Sequence, residues 1–318
     1  AFMSNRSDDP DLDPDAVDLF VASSTTGRIR RIETPIGGKS LPQFSPEGTR
    51  IAYFGQEGRG NGWKNAHLFV ADISGKTPVC NLTGKNDFCI SSGTINDTGS
   101  PAQNKPTWSP DGRSIYFQMP QHGSVLLKAV SLEDGMVRDV VADKGVVCAF
   151  TFDSLHSRLV YYFGTMADPG QIMLREMDSS ESRPLTRLNS WLRKVDLGEV
   201  DEVWAKGGDD NDLQGWVIKP PGFKAGKKYP SILEIHGGPQ TQYGDLFMHE
   251  FYFLAARGYV VHFCNPRGGR GYGEKHTKAI WNDWGNRDYA DLMAWTDHVA
   301  KRPFINKKLM GVAGGSYG

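Results

Sequence analysis

Over the first stretch of about 190 residues, short apolar and aromatic runs alternate with clusters of Gly, Pro, Ser, Asn and Asp, which predicts strands and turns. One unit recurs. Pro42-Gln43-Phe44-Ser45-Pro46-Glu47-Gly48 precedes Ile51-Ala52-Tyr53-Phe54, and Pro106-Thr107-Trp108-Ser109-Pro110-Asp111-Gly112 precedes Ile115-Tyr116-Phe117. A worn copy, Phe150-Thr151-Phe152-Asp153-Ser154, precedes Leu159-Val160-Tyr161-Tyr162. Ser-Pro-Asp-Gly suits a type I turn, with Ser or Asp first, proline presetting φ at the second position and glycine closing the fourth. A second hairpin follows each copy, over His67–Thr83, Val125–Ala142 and Ile172–Arg187. Asp18–Thr34 matches the second half of an earlier copy whose first half is absent.

Two hairpins per unit, and 44 residues from Trp108 to Phe152, fit one propeller blade. Phe44 to Trp108 is 64 residues, so that blade carries an insertion, placed within Gly84–Asn104. This insertion reads either as a long exposed loop or as a loop reaching over a neighbouring active site. Three blades and part of another fall short of a ring of about four to eight. The N-terminus is therefore expected to be cut.

From about Glu199 the period changes. Val200–Ala205 and Leu213–Lys219 read as strands joined through the polar turn Gly207–Asp212. Tyr229–Ile235 and Tyr259–Cys264 read as further strands, with a short apolar helix over Phe247–Arg257 between them, ended by Gly258. Asp288–Arg302 is the clearest helix. Tyr289, Leu292, Met293, Thr296, Val299 and Ala300 share one face, leaving Asp291, Asp297, Lys301 and Arg302 outside it. Leu309–Ala313 reads as a buried strand. Alternating strands and helices predict an α/β sheet. The expected domains are residues 1–192, a partial β-propeller of about three blades plus part of another, and residues 199–318, an α/β domain.

Composition narrows the classes. The chain has 318 residues, 39% hydrophobic and 23% charged, which are globular values. A net charge of −1 leaves no footprint for nucleic acid or an anionic membrane, and no apolar run approaches the ~20 residues of a membrane span. Residues 1–6 lack a basic head followed by an apolar core, so no signal peptide is read, and the cytoplasm is preferred over the periplasm or secretion. Four cysteines are too few for a disulfide scaffold. Cys148 and Cys264 read as small buried hydrophobes, and Cys80 and Cys89 lie close enough in sequence for pairing to stay open. No His/Cys/Asp/Glu cluster has metal-ligand spacing, so no metal or cofactor is expected.

The chemistry sits at the C-terminal end. Gly314-Gly315-Ser316-Tyr317-Gly318 is a G-x-S-x-G after a strand, the sequence of a nucleophile elbow. Side chains two residues either side of the serine would collide there, so Gly314 and Gly318 are required. His236-Gly237-Gly238-Pro239 follows a strand two strands earlier, where such a fold builds half its oxyanion hole; a plain β-turn is the alternative. The Tyr317 N–H would be one donor and this loop would give the other. His236 reads as a structural histidine fixing the loop, and His262 as a satisfied core histidine. In the glycine-rich loop Asn265–Gly273, Arg267 and Arg270 read as ion-paired, with contact to a substrate carboxylate or carbonyl as the alternative. Residues 199–318 are therefore expected to be the first part of an α/β-hydrolase domain ending at the nucleophile elbow. In α/β-hydrolases the order is Ser, then Asp or Glu, then His, so the acid and base are expected beyond Gly318 and the chain reads as a fragment, inactive alone.

These features together resemble the prolyl oligopeptidase family of serine peptidases, closest to its acylaminoacyl-peptidase-like branch with dipeptidyl peptidase relatives. The resemblance rests on HGGP, the N-P-R-G-rich loop, GGSYG and the stretch from Trp281-Asn282-Asp283-Trp284-Gly285 to Asp288-Tyr289-Ala290-Asp291-Leu292. It is weak over the propeller and strong from about Val200 to Gly318. It implies Ser316 as nucleophile, Tyr317 and Gly238 N–H groups as oxyanion donors, short peptides as substrates and a propeller that admits peptides and excludes folded proteins. Homo-oligomerisation stays open. An esterase of the same fold, or a propeller scaffold with a degenerate hydrolase domain that merely binds, are the alternatives.

Overall fold

A computed structural model describes residues 1–90, 93–99 and 103–318. Strands β1 (Phe2–Asn5), β2 (Val17–Ala22) and β3 (Ile29–Ile32) form a three-stranded antiparallel sheet. The earliest unit thus has one strand of its first half, Phe2–Asn5, where the sequence pattern showed none. Strands β4 (Lys39–Phe44), β5 (Arg50–Gly55), β6 (His67–Asp72) and β7 (Cys80–Asn81) form a four-stranded sheet. Next come β8 (Thr107–Trp108), β9 (Ser114–Gln121), β10 (Ser124–Ser131) and β11 (Val137–Val141), then β12 (Val146–Phe152), β13 (Arg158–Thr165), β14 (Asp168–Glu176) and β15 (Ser182–Pro184). A single parallel pair, Val125 with Val146, joins these last two groups.

The turn chemistry is as the residues dictate. Gly48 N donates to Ser45 O at 2.9 Å and Gly112 N to Ser109 O at 2.9 Å, both glycines at positive φ. In the worn copy His156 takes that place, with N donating to Asp153 O at 3.0 Å. Alternation along each strand then stacks the sheets. Ile51 and Tyr53 of β5 pack on Leu19 and Ile32, while Ala52 and Phe54 pack on Ile115 and Phe117 of β9. Tyr116, on the other face of β9, meets Leu159 and Tyr161 of β13.

After a 3₁₀ turn at Ser190–Lys194 the chain forms β16 (Val200–Lys206), β17 (Asp212–Ile218), β18 (Tyr229–Ile235), α1 (His249–Ala256), β19 (Val260–Cys264), α2 (Glu274–Lys278), α3 (Arg287–Ala300) and β20 (Ile305–Gly314). The sheet order is β16-β17-β19-β18-β20, with β18 parallel to both β19 and β20. Helix α1 covers one face, against Trp216, Ile218, Val261 and Phe263. Helix α3 covers the other, placing Leu292, Trp295 and Val299 on Leu213, Val217, Val260 and Cys264. The chain runs from β18 to β19 on one side and then back to β20 on the other. That reversal opens a crevice at the carboxyl ends of β18 and β20, where ligands bind in open α/β sheets.

Two expectations are corrected. The buried side of α3 is Asp288, Asp291, Leu292, Trp295 and Val299, whereas Tyr289 and Met293 are exposed. Asp291 can turn inward because Arg267 neutralises it there. Among the described strands β20 pairs with β18. The described part of residues 84–104 is partly buried, not a wholly exposed loop. Cys89, Ile90 and Thr94 are buried, Ile95 N donates to Gln242 O at 2.9 Å, and the Asp97 carboxylate accepts from His249 N and Glu250 N at 2.7 and 2.8 Å. Asp97 so caps α1, whose own N-cap Met248 offers no side-chain acceptor. Cys80 and Cys89 form no disulfide: Cys80 is exposed, and the buried Cys89 sulfur accepts from Ala66 N.

Candidate active site

Strand β20 delivers Ser316 through a turn closed by Gly318 N donating to Gly315 O at 3.1 Å. Ser316 sits at φ +60°, a conformation that costs a non-glycine residue about 1–3 kcal/mol and is held only by its surroundings. Those surroundings are glycine. A Cβ on Gly314 would lie 2.5 Å from Gly318 C, and one on Gly318 would lie 2.1 Å from Ile235 O. The side chain of Ser316 is exposed at the tip.

Ile235, the last residue of β18, pairs with Gly314, so the loop after β18 starts beside the turn after β20. A Cβ on Gly237 would meet Gly315 O at 3.0 Å, Ser316 Cβ at 3.2 Å and Ser316 Oγ at 3.8 Å. Gly238 follows at φ +120°, where a Cβ would lie 2.7 Å from Thr241 Cγ2. The structure thus brings the HGGP loop and Ser316 together without an intervening side chain.

Tyr317 is fixed from a third direction. Its phenol donates to Asp288 Oδ2, and its ring meets the Trp284 ring edge-on at 5.2 Å between centroids. Asp288 also accepts from Gly285 N at 2.9 Å and Tyr289 N at 3.0 Å. Trp284, Gly285 and Asp288 belong to the tryptophan-rich stretch at the start of α3, to which sequence reasoning assigned no role. Its only signal was the fixed order of those residues.

The histidines sort by burial. His236 is buried, its Nδ1 2.8 Å from the Gly237 carbonyl oxygen and its ring edge-on to Tyr243. Burial lowers its pKa, so the ring is neutral near pH 7. His276 Nε2 lies 2.9 Å from Pro266 O, and burial pushes its pKa down to about 4. His262 is buried but not satisfied: among the described residues neither ring nitrogen has a hydrogen-bond partner, and burial pushes its pKa down to about 3. Among the described residues, no histidine makes a hydrogen bond to Ser316 Oγ.

Beyond β19, Arg267 is ion-paired as its sequence suggested. Its Nε donates to Asp291 Oδ2 and its Nη2 to Asp291 Oδ1, both at 2.8 Å, and Nη1 reaches Asp209. Arg270 is not: its guanidinium faces carbonyl and amide oxygens. Nearby, a cavity of about 650 Å³ is lined by His122, Trp204, Asp209, Tyr272, Lys275 and Arg287, among others. Ser316 is not among its walls.

Residues 245–318 match the prolyl oligopeptidase family. Over 261 residues the chain is 31% identical to the uncharacterized peptidase YuxL of Bacillus subtilis, covering 80% of this chain and 39% of that protein. Over 305 residues it is 27% identical to dipeptidyl-peptidase 5 of Porphyromonas gingivalis, covering 95% of this chain and 42% of that one. The acylaminoacyl peptidase of Pyrococcus horikoshii superposes with a TM-score of 0.77 at 25% identity, over 95% of this chain and 44% of its own. The chain therefore spans less than half the length of these relatives.

Proposed function

Given a C-terminal segment of the prolyl oligopeptidase family, we propose that this chain is part of a serine peptidase that cleaves short peptides through an acyl ester on Ser316. The observation that carries this reading is the close approach of Gly237, just after β18, to Ser316, where a Cβ on Gly237 would lie 3.2 Å from Ser316 Cβ. Ser316 Oγ attacks the scissile carbonyl as a base removes its proton. The oxygen of the tetrahedral intermediate turns toward the Tyr317 and Gly238 N–H groups. Such preorganised donors are worth about 10²–10³ in rate each. The base and its orienting acid are assigned to sequence after Gly318, in the order Ser, Asp, His.

The stacked antiparallel sheets before residue 192 are the blades of a propeller in this reading, and act as a filter on substrate size. Their packing, strand by strand across alternate faces, supports it. Names borne by the relatives point to dipeptidyl or acylaminoacyl release of short N-terminal groups.

The test uses the full-length protein with dipeptidyl and N-acylaminoacyl anilides. Ser316→Ala should abolish turnover of both; undiminished cleavage would refute the mechanism. Turnover of aryl esters without anilides would make the protein an esterase. Failure of a fluorophosphonate to label Ser316 would leave a binding scaffold.

A further inference from the structure

The loop bearing Gly238 is held from outside its own strand. Arg270 N donates to Thr241 O at 2.9 Å, and Thr241 N donates to Pro239 O at 2.7 Å. Gly269 lies close against the same loop: a Cβ there would come 3.0 Å from Thr241 O and 3.8 Å from His236 Nε2, and one on Gly268 3.7 Å from Pro239 Cβ. The loop after β19 therefore lies directly on the loop after β18.

Arg270 extends this contact to the strand-rich half. Its side chain is buried, with the residue 3% exposed. Nη1 donates to Trp63 O at 3.0 Å and Lys64 O at 2.9 Å, and Nη2 donates to Gly62 O at 2.7 Å and Gln240 Oε1 at 2.7 Å. Among the described residues no carboxylate pairs with it. A buried cation is costly to desolvate, and here only fixed oxygen dipoles compensate it. The planar fork of a guanidinium suits that use, because its donors have set directions. Three of the acceptors belong to the segment before β6, and the fourth to Gln240, two residues after Gly238.

We propose that Arg270 is a positioning residue, which holds the Gly238 amide toward Ser316 through Gln240 and Thr241 and makes that position depend on residues 62–64. The inference rests on Ser316 acting as the nucleophile. Arg270 touches no reacting atom; it sets where an oxyanion donor stands. The donor's value depends on placement, since a shift of about 1 Å can cost about 10²-fold in rate.

The experiment compares Arg270→Met, Arg270→Lys, Gln240→Ala and the double variant Arg270→Met/Gln240→Ala in the full-length protein. Readouts are kcat and KM on a peptide anilide, the rate of fluorophosphonate labelling, and Tm. Arg270→Met should lower kcat and labelling by at least about tenfold, with KM within about threefold, because the lost interaction serves the transition state. Arg270→Lys should recover part of the loss. Gln240→Ala should lower kcat in the same way, and the double variant should be no worse than Arg270→Met alone. If the arginine only fastens the two halves, Tm falls while kcat of the folded enzyme stays at wild type, and the proposal is overturned. Additive kcat losses in the double variant overturn the route through Gln240. Should Arg270→Met not fold, Arg270→Lys and Gln240→Ala carry the same test. Wild-type protein without Ser316-dependent turnover would sink the peptidase reading and this inference together; active wild type with unaffected variants would sink this inference alone.

Discussion

The Tyr317 phenol donates to the Asp288 carboxylate, which ties the residue after Ser316 to the first turn of α3. Tyr317→Phe and Asp288→Ala should each lower kcat about tenfold or more, with KM little changed, because the side chain orients the amide. Steady-state kinetics on a peptide anilide check this. Wild-type kcat in both variants would show that the elbow holds its amide unaided.

Gly314→Ala should remove fluorophosphonate labelling of Ser316. The new methyl would lie within 3.0 Å of three backbone atoms, none of which can rotate away. The turn must open, and Ser316 loses its left-handed conformation. A labelled Gly314→Ala variant would mean the elbow tolerates a side chain there.

Glu234 makes stability depend on pH. It is buried on β18 with Oε1 lacking a partner, and burial, aided by the Glu250 charge, pushes its pKa from 4.5 up to about 7. The unfolded chain then gives up this proton at lower pH than the folded one. Stability from this group is present below about pH 4.5 and is lost as pH rises through about 7, by roughly 3 kcal/mol in all. Glu234→Gln should therefore gain stability relative to wild type at pH 8 and little at pH 5. Urea unfolding at both values measures it. An identical pH dependence in the two proteins would contradict the burial account.

Arg267 and Asp291 should behave as a buried pair. Removing one partner leaves the other charge uncompensated, so Arg267→Met or Asp291→Leu alone should cost about 3–5 kcal/mol. The double variant should recover much of that. Chemical denaturation of the three proteins supplies the comparison, and simple additivity would deny the coupling.

How much of this was legible depends on the range of the interaction. Strands β5, β9 and β18 could be read because alternation and turn residues act within a few positions. The glycines around Ser316 could be read because a tight bend excludes Cβ atoms locally. The buried face of α3 could not, since Asp291 turns inward only for an arginine 24 residues away in sequence. The role of Trp284 and Asp288 lay hidden because periodicity sees a helix start, not the tyrosine 29 residues later. Arg270 was misassigned for a related reason: composition suggests a carboxylate for every buried cation, and carbonyl groups leave no mark in a sequence.

Gln242 carries one more consequence. It is fully buried, and its amide donates to Thr94 Oγ1 and Ser124 O and accepts from Gly123 N, at 2.9, 3.0 and 3.1 Å. These partners lie 118–148 residues upstream. An excised β16–β20 unit would strip that amide of these three partners and open its site to water, so the two halves are not interchangeable modules.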